Sequence, residues 1–254
     1  MADREAELAA LYDLDAGDFD DDLALYENLA RRADGPLLEL GAGTGRVAIP
    51  LARAGFEVWG IDASEAMLAR ACCKAGEEVA GRLHLAPGDM RDFELERGFA
   101  LIFAAFGTFH QLITTDEQLA CLRCVRSHLA PGGLFVCDLR PLQFESWERG
   151  ASVPLYHDWT RVSPETGETV TKLRAVSADI ATQVVRETAF YDCVASDGGL
   201  RRVVATLDQR FTTRYELEGL MERASLALEQ VYGSYDLDPY DESSEHLIVV
   251  VRRP

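Results

Sequence analysis

No apolar run in these 254 residues approaches the roughly 20 that a membrane-spanning helix needs. The start, Met1-Ala2-Asp3-Arg4-Glu5, has no basic and then apolar segment of the secretory kind, so a cytoplasmic protein without a membrane partner is expected. Basic residues are scarce: 25 Lys and Arg stand against 43 Asp and Glu, a formal net charge of −18. A field of that sign repels phosphate backbones, and no dense Lys/Arg stripe offsets it, so nucleic acid is excluded as the expected partner. The six cysteines lack the spacing of a disulfide framework. Cys72 and Cys73 are neighbours, and Cys121-Leu122-Arg123-Cys124 has no second pair, although His128 follows four residues on. No metal is expected there. What remains is ordinary globular material, 48% hydrophobic and 27% charged, long enough for one domain or one domain with an insertion.

What the chain does have is a strand that runs into a glycine turn. Leu37-Leu38-Glu39-Leu40 is followed by Gly41-Ala42-Gly43-Thr44-Gly45, and Val47 to Ala54 reads as a helix. Three glycines in five residues let the backbone turn sharply and leave no Cβ where a ligand would lie, while the free N–H groups of the next helix face the turn. A dinucleotide-binding turn, G-x-G-x-x-G, would need a third glycine at position 46, which is Arg46. The pattern here is G-x-G-x-G after the acidic Glu39. That form resembles motif I of the class I S-adenosylmethionine-dependent methyltransferases.

Further along, Phe56–Ile61 is a second strand that ends at Asp62, and Ala63-Ser64-Glu65-Ala66-Met67-Leu68 opens a helix. A carboxylate there can accept from two vicinal ribose hydroxyls, or can serve as a helix cap. Leu83–Ala86 is a third strand, before Pro87-Gly88-Asp89-Met90. The resemblance implies that Asp89 and Met90 meet the adenine. Residues 100–105 form a fourth strand leading to Phe106-Gly107-Thr108-Phe109-His110-Gln111-Leu112. Small-molecule methyltransferases carry a similar run, but Ala100, Gly107 and Gln111 replace its usual acidic, Asn and His residues. Leu129-Ala130-Pro131-Gly132-Gly133 and the strand Leu134–Leu139 complete the likeness, which spans roughly residues 35–140 and the C-terminal strands.

The fold so implied is α/β: a Rossmann-like sheet of seven strands, order 3-2-1-4-5-7-6, last strand antiparallel. Residues 1–34 are expected to form a helical segment over the cofactor site, helical in pieces around an acidic stretch, Asp13 to Asp22, with Leu23, Tyr26, Leu29 and Ala30 at helical spacing. Tyr12 and Tyr26 are its candidates for the methionine end of the cofactor. Residues 35–145 and 212–254 form the core. Residues 146–211 read as an inserted antiparallel β cap, with strands near 155–161, 168–178, 183–194 and 200–211, serving substrate specificity or a homodimer surface.

The resemblance implies S-adenosyl-L-methionine as cofactor, S-adenosyl-L-homocysteine as product, and a small-molecule nitrogen or oxygen as acceptor. Its expected contacts are Glu39, Gly41, Ala42, Gly43, Gly45, Asp62, Ala63, Asp89, Met90, Ala105 and Phe106. Because the sulfonium is already activated, alignment and exclusion of water dominate. His110 is the first candidate general base, ahead of His157 and Tyr156. Asp138, after the fifth strand, leaves a divalent metal open. Two rivals also stand: a non-catalytic sensor of the cofactor or its product, and a nicotinamide oxidoreductase, against which Arg46 and the terminal strand pair count.

Overall fold

The most apolar segments lie side by side in the middle of one sheet. The computed structural model describes residues 2–141 and 154–254. Strands β1 (Leu37–Leu40), β2 (Val58–Asp62), β3 (Leu83–Pro87), β4 (Phe99–Ala104) and β5 (Leu129–Leu139) all run parallel. A separate antiparallel sheet follows: β6 (Leu155–Val162), β7 (Thr169–Asp179), β8 (Val184–Val194) and β9 (Leu200–Arg210). The chain then returns to the first sheet with β10 (Ala227–Tyr232) and β11 (Leu247–Arg252). The order is β10-β11-β5-β4-β1-β2-β3, with β11 antiparallel to both neighbours. Without the four inserted strands this is 3-2-1-4-5-7-6, the Rossmann-like methyltransferase order expected.

Alternation along β4 divides the core. Ile102 packs on one face with Leu119, Leu122, Leu217 and Met221, from α5 (Thr115–His128) and α6 (Arg214–Arg223). Leu101 and Phe103 face the other way, onto Leu25, Tyr26 and Leu29 of α2 (Leu23–Ala33) and Ile49 and Leu51 of α3 (Ala48–Arg53). Both faces are covered, which is why β4 reads as an unbroken apolar run, while β1 is apolar but for Glu39. Caps set the helix starts. Ser64 accepts from Met67 N at the head of α4 (Glu65–Ala75), and Thr114 with Glu117 forms a reciprocal capping box on α5.

Three local expectations need correction. Helix α1 (Ala2–Ala16) runs through Asp13, so the acidic break is residues 17–22. Leu25, rather than Leu23, completes the buried stripe of α2. Strand β5 begins at Leu129, and its Pro131-Gly132-Gly133 turn is a bulge in the pairing with β4. The cap strands begin and end within one or two residues of their expected limits. The domain junction placed at residues 145 and 146 lies outside the described residues. No described helix is long and apolar enough to cross a membrane.

Candidate functional site

The glycine turn sits at the C-terminal edge of the parallel strands. Gly41 (φ +67°) and Gly43 (φ +54°) both take the left-handed region. A Cβ on Gly41 would stand 2.4 Å from Thr108 Cγ2, so close packing also demands glycine there. At Gly43 the nearest atom to such a Cβ is Gly41 O at 4.0 Å, so this residue opens onto space. That is the face a ligand can approach.

Two carboxylates flank the turn. Asp62, at the end of β2, accepts from Gly43 N and from Ser64 N, both at 2.8 Å. It therefore braces the turn and the approach to α4 at once. Glu39, in β1, is 3% exposed, and its Oε2 is buried with no hydrogen-bond partner. Burial pushes its pKa up to about 8, against the opposing pull of Arg46 and of a hydrogen bond from the Ala48 amide. An orphaned carboxylate oxygen beside an open turn is what a cationic ligand group would complete.

Arg46 is not exposed filler after the turn. Its guanidinium forms a two-pronged pair with Asp22, 2.6 and 2.7 Å, and donates to Phe19 O at 3.0 Å. The rings of Phe19 and Phe106 lie against it, at 5.1 and 4.9 Å. Burial raises the Tyr12 pKa, with Arg46 opposing and Glu39 adding to the rise, which places this phenol in the same network. Tyr26 faces the same carboxylates from behind: burial raises its pKa, and Asp138, Asp22 and Glu39 add to the rise. Its ring lies 4.7 Å from Phe103 behind the sheet, fully buried, so its aromatic role is core packing.

Helix α1 is strapped down on both sides. Asp13 accepts from Thr44 Oγ1 of the glycine turn (2.5 Å), from Lys74 Nζ (2.7 Å) and from Arg70 Nε. Arg70 also reaches Glu165 of the cap. On the other side Asp15 accepts from Lys172 Nζ (2.6 Å) and Trp159 Nε1 (2.7 Å), both cap residues. Leu11 sits among Val170, Tyr191 and Val203 of the cap sheet. The first helix thus lies between cap and turn, a position no local pattern encodes.

The other expected residues divide. Ala63 is exposed in the loop after β2. Ala42 and Gly45 complete the turn, with Ala42 N donating to Ile61 O at 2.9 Å. Met90 is half-buried against the core, whereas Asp89 is gripped by Arg91 through Nε and a terminal nitrogen at 2.6–3.0 Å. That grip holds the Asp89 carboxyl below the usual range. Ala105 is buried, and Phe106 adopts φ +54°, unusual for a bulky residue. Its amide donates to Asp138 Oδ2 at 3.2 Å.

His110 is placed differently from a free base. Its Nδ1 stands 2.7 Å from the carbonyl of Arg210, and its Nε2 accepts from Arg140 N at 3.2 Å. Both ring nitrogens are engaged and burial lowers its pKa, so His110 serves as a neutral brace between Arg140, just after β5, and the end of β9. His157 is exposed on the cap, bonded to Thr160 Oγ1, and Tyr156 is exposed beside it. Among the described residues no acidic, His or Cys group has the arrangement of a metal site. Cys124 donates to Phe93 O at 3.2 Å and His128 Nε2 accepts from Leu95 N at 3.1 Å. These line a groove of about 1160 Å³ at the opposite, N-terminal edge of β4 and β5.

Residues 37–133 match the family model described as a methyltransferase domain. Cypemycin N-terminal methyltransferase from a Streptomyces species is 28% identical over 240 residues, covering 91% of this chain and 89% of that protein. Among solved structures, the methyltransferase CcbJ from Streptomyces caelestis superposes with a TM-score of 0.78 at 28% identity, covering 92% and 90% of the two chains. CalS10, an amino pentose methyltransferase from Micromonospora echinaspora solved with S-adenosylmethionine bound, gives 0.68 at 25% identity, covering 92% and 91%.

Proposed function

This chain belongs to the S-adenosylmethionine-dependent methyltransferases, and we propose that it methylates an amine nitrogen of a small molecule by in-line displacement. The observation that carries the reading is the open face of Gly43 between Asp62 and the orphaned Oε2 of Glu39. Nitrogen is favoured over oxygen because two of the similar proteins are named an N-terminal methyltransferase and an amino pentose methyltransferase.

When bound, S-adenosylmethionine supplies a methyl group already activated for transfer, which leaves the chain to bind, align and exclude water. Glu39 Oε2 suits the ammonium of an amino-acid end. Each Asp62 oxygen accepts one backbone amide and keeps a lone pair for a ribose hydroxyl. Met90 offers its thioether to the adenine face, and Asp89 would share its carboxylate between Arg91 and the adenine amine. Ala105 and Phe106, following β4, border the point of transfer. Helix α1 and the cap sheet cover that region and keep water from it.

Calorimetric titration with S-adenosylmethionine and S-adenosylhomocysteine tests the first half of the reading. Micromolar binding of both is expected. A panel of primary amines and phenols then tests the second, with methylated product found among the amines. Binding of neither ligand would sink the assignment of the turn, and product from phenols alone would sink the choice of nitrogen.

A further inference from the structure

A second group of side chains meets at the same edge of the sheet, outside the expected cofactor contacts. Asp138 lies near the end of β5 and is 1% exposed. Its Oδ2 accepts from Tyr235 Oη at 3.0 Å, as well as from Phe106 N, and its Oδ1 stands 3.4 Å from Nδ1 of His246. The Tyr235 and His246 rings lie against each other, 4.1 Å between centroids. His246 Nδ1 is buried and makes no aligned hydrogen bond, so the carboxylate at 3.4 Å is the group facing it.

Topology explains the meeting. Because β11 is antiparallel to β5, its first residue, Leu247, pairs with Leu139, the last of β5. His246 therefore emerges where the parallel strands end, beside the residues that follow β4. Tyr235, three residues beyond β10, arrives at the same place. Asp138 joins the two elements to Phe106 through one carboxylate. The other described histidines cannot do this work. His110 has both nitrogens engaged, His84 and His128 lie toward the opposite edge, and His157 is on the cap.

We propose that His246 is the proton acceptor for the methyl-accepting nitrogen, with Asp138 and Tyr235 as positioning residues. This rests on the reading of an amine acceptor. An amine arrives largely as its ammonium and must expose a lone pair before it attacks. In the step assigned to His246, one N–H bond of that ammonium breaks, and its electron pair stays on nitrogen as the attacking pair. The proton forms a bond to Nε2 of His246. Asp138, facing Nδ1, holds the ring as its Nδ1–H tautomer, so that Nε2 carries the free lone pair, and offsets the charge the ring acquires. Asp138 of β5 faces the ring and Tyr235, from the loop after β10, lies against it; around those two stand Arg140, just after β5, Asp22 from the segment before α2, and Tyr26 of α2.

The test uses the full chain labelled with ¹⁵N and ¹³C at its five histidines, the His246 signal being identified by its loss in His246→Gln. Calorimetry on the same sample follows S-adenosylhomocysteine and S-adenosylmethionine binding independently. At alkaline pH the wild-type His246 ring is expected as the Nδ1–H tautomer, and Asp138→Asn is expected to abolish that preference. Its signal should also move when S-adenosylmethionine binds, and by less with S-adenosylhomocysteine, which lacks the methyl group. Binding without any response at His246, or an Nε2–H tautomer in the wild type, would overturn the proposal while leaving the cofactor reading intact. Absence of binding to either ligand would overturn both. The wild-type tautomer decides the matter even where Asp138→Asn does not fold.

Discussion

Arg46 and Asp22 form a buried, two-pronged ion pair that joins the end of the glycine turn, just before α3, to the segment before α2. Their side chains are 6% and 0% exposed, so neither charge has water to fall back on. The pair is a switch between two very different mutational outcomes.

Arg46→Leu or Asp22→Leu alone strands one charge, and about 3–5 kcal/mol of stability should be lost. The double variant removes both charges and should recover most of that loss. Urea denaturation of the three variants measures the coupling; equal and additive losses would mean the pair does not act as a unit.

Asp62→Ala removes the acceptor of two backbone amides as well as a ribose partner. Loss of about 1.5–3 kcal/mol per charged hydrogen bond is expected, shared between stability and S-adenosylmethionine affinity. Asp62→Asn keeps acceptor capacity for one amide and should fall between. Calorimetry paired with thermal unfolding separates the two shares, and unchanged affinity in Asp62→Ala would remove Asp62 from the cofactor site.

Glu39 makes stability fall with rising pH. Its folded pKa, about 8, exceeds the ordinary 4.5, so between those values the folded state holds a proton that the unfolded state has lost. Stability conferred by the protonated form is complete below about 4.5 and is lost as pH rises through about 8. The local slope should approach about 1.4 kcal/mol per pH unit. Glu39→Gln should flatten this part of the profile. Cofactor binding should also release a proton from Glu39 near neutral pH, which calorimetry in buffers of different ionisation enthalpy detects. A buffer-independent enthalpy would count against an ammonium beside Glu39.

His110 titrates in the opposite sense. Burial lowers its pKa below 6.5, so the unfolded state binds a proton first as pH falls. The stability it contributes is present above about 6.5 and is lost as pH drops through the folded value. His110→Phe should cost the brace to Arg210 and Arg140, about 1–3 kcal/mol, and remove the acid-side slope. Unfolding followed between pH 5 and 8, roughly the window in which histidine titrates, checks both. A variant with wild-type stability would return His110 to the list of free bases.

The sheet and most of its strands were readable from residue pattern alone, because apolar runs, turn residues and period-two alternation are local signals. Leu37–Leu40 with Gly41 to Gly45, the acidic end of β2 at Asp62, and the four cap strands all carried their own signatures. What residue order could not supply was long-range pairing. Nothing near Arg46 announces Asp22, and Asp13 and Asp15 look alike until α1 lies between the turn and the cap. His110 invited a catalytic reading by following β4, and only packing against Arg210 and Arg140 showed both nitrogens engaged. Asp138, Tyr235 and His246 stand up to 108 positions apart and become neighbours because β11 turns back along β5. Local sequence determined the elements and the glycine turn, since backbone preference acts over a few residues. Tertiary structure alone decided which charges are buried, which are paired and which face the site, since those depend on distances the chain closes only when it folds.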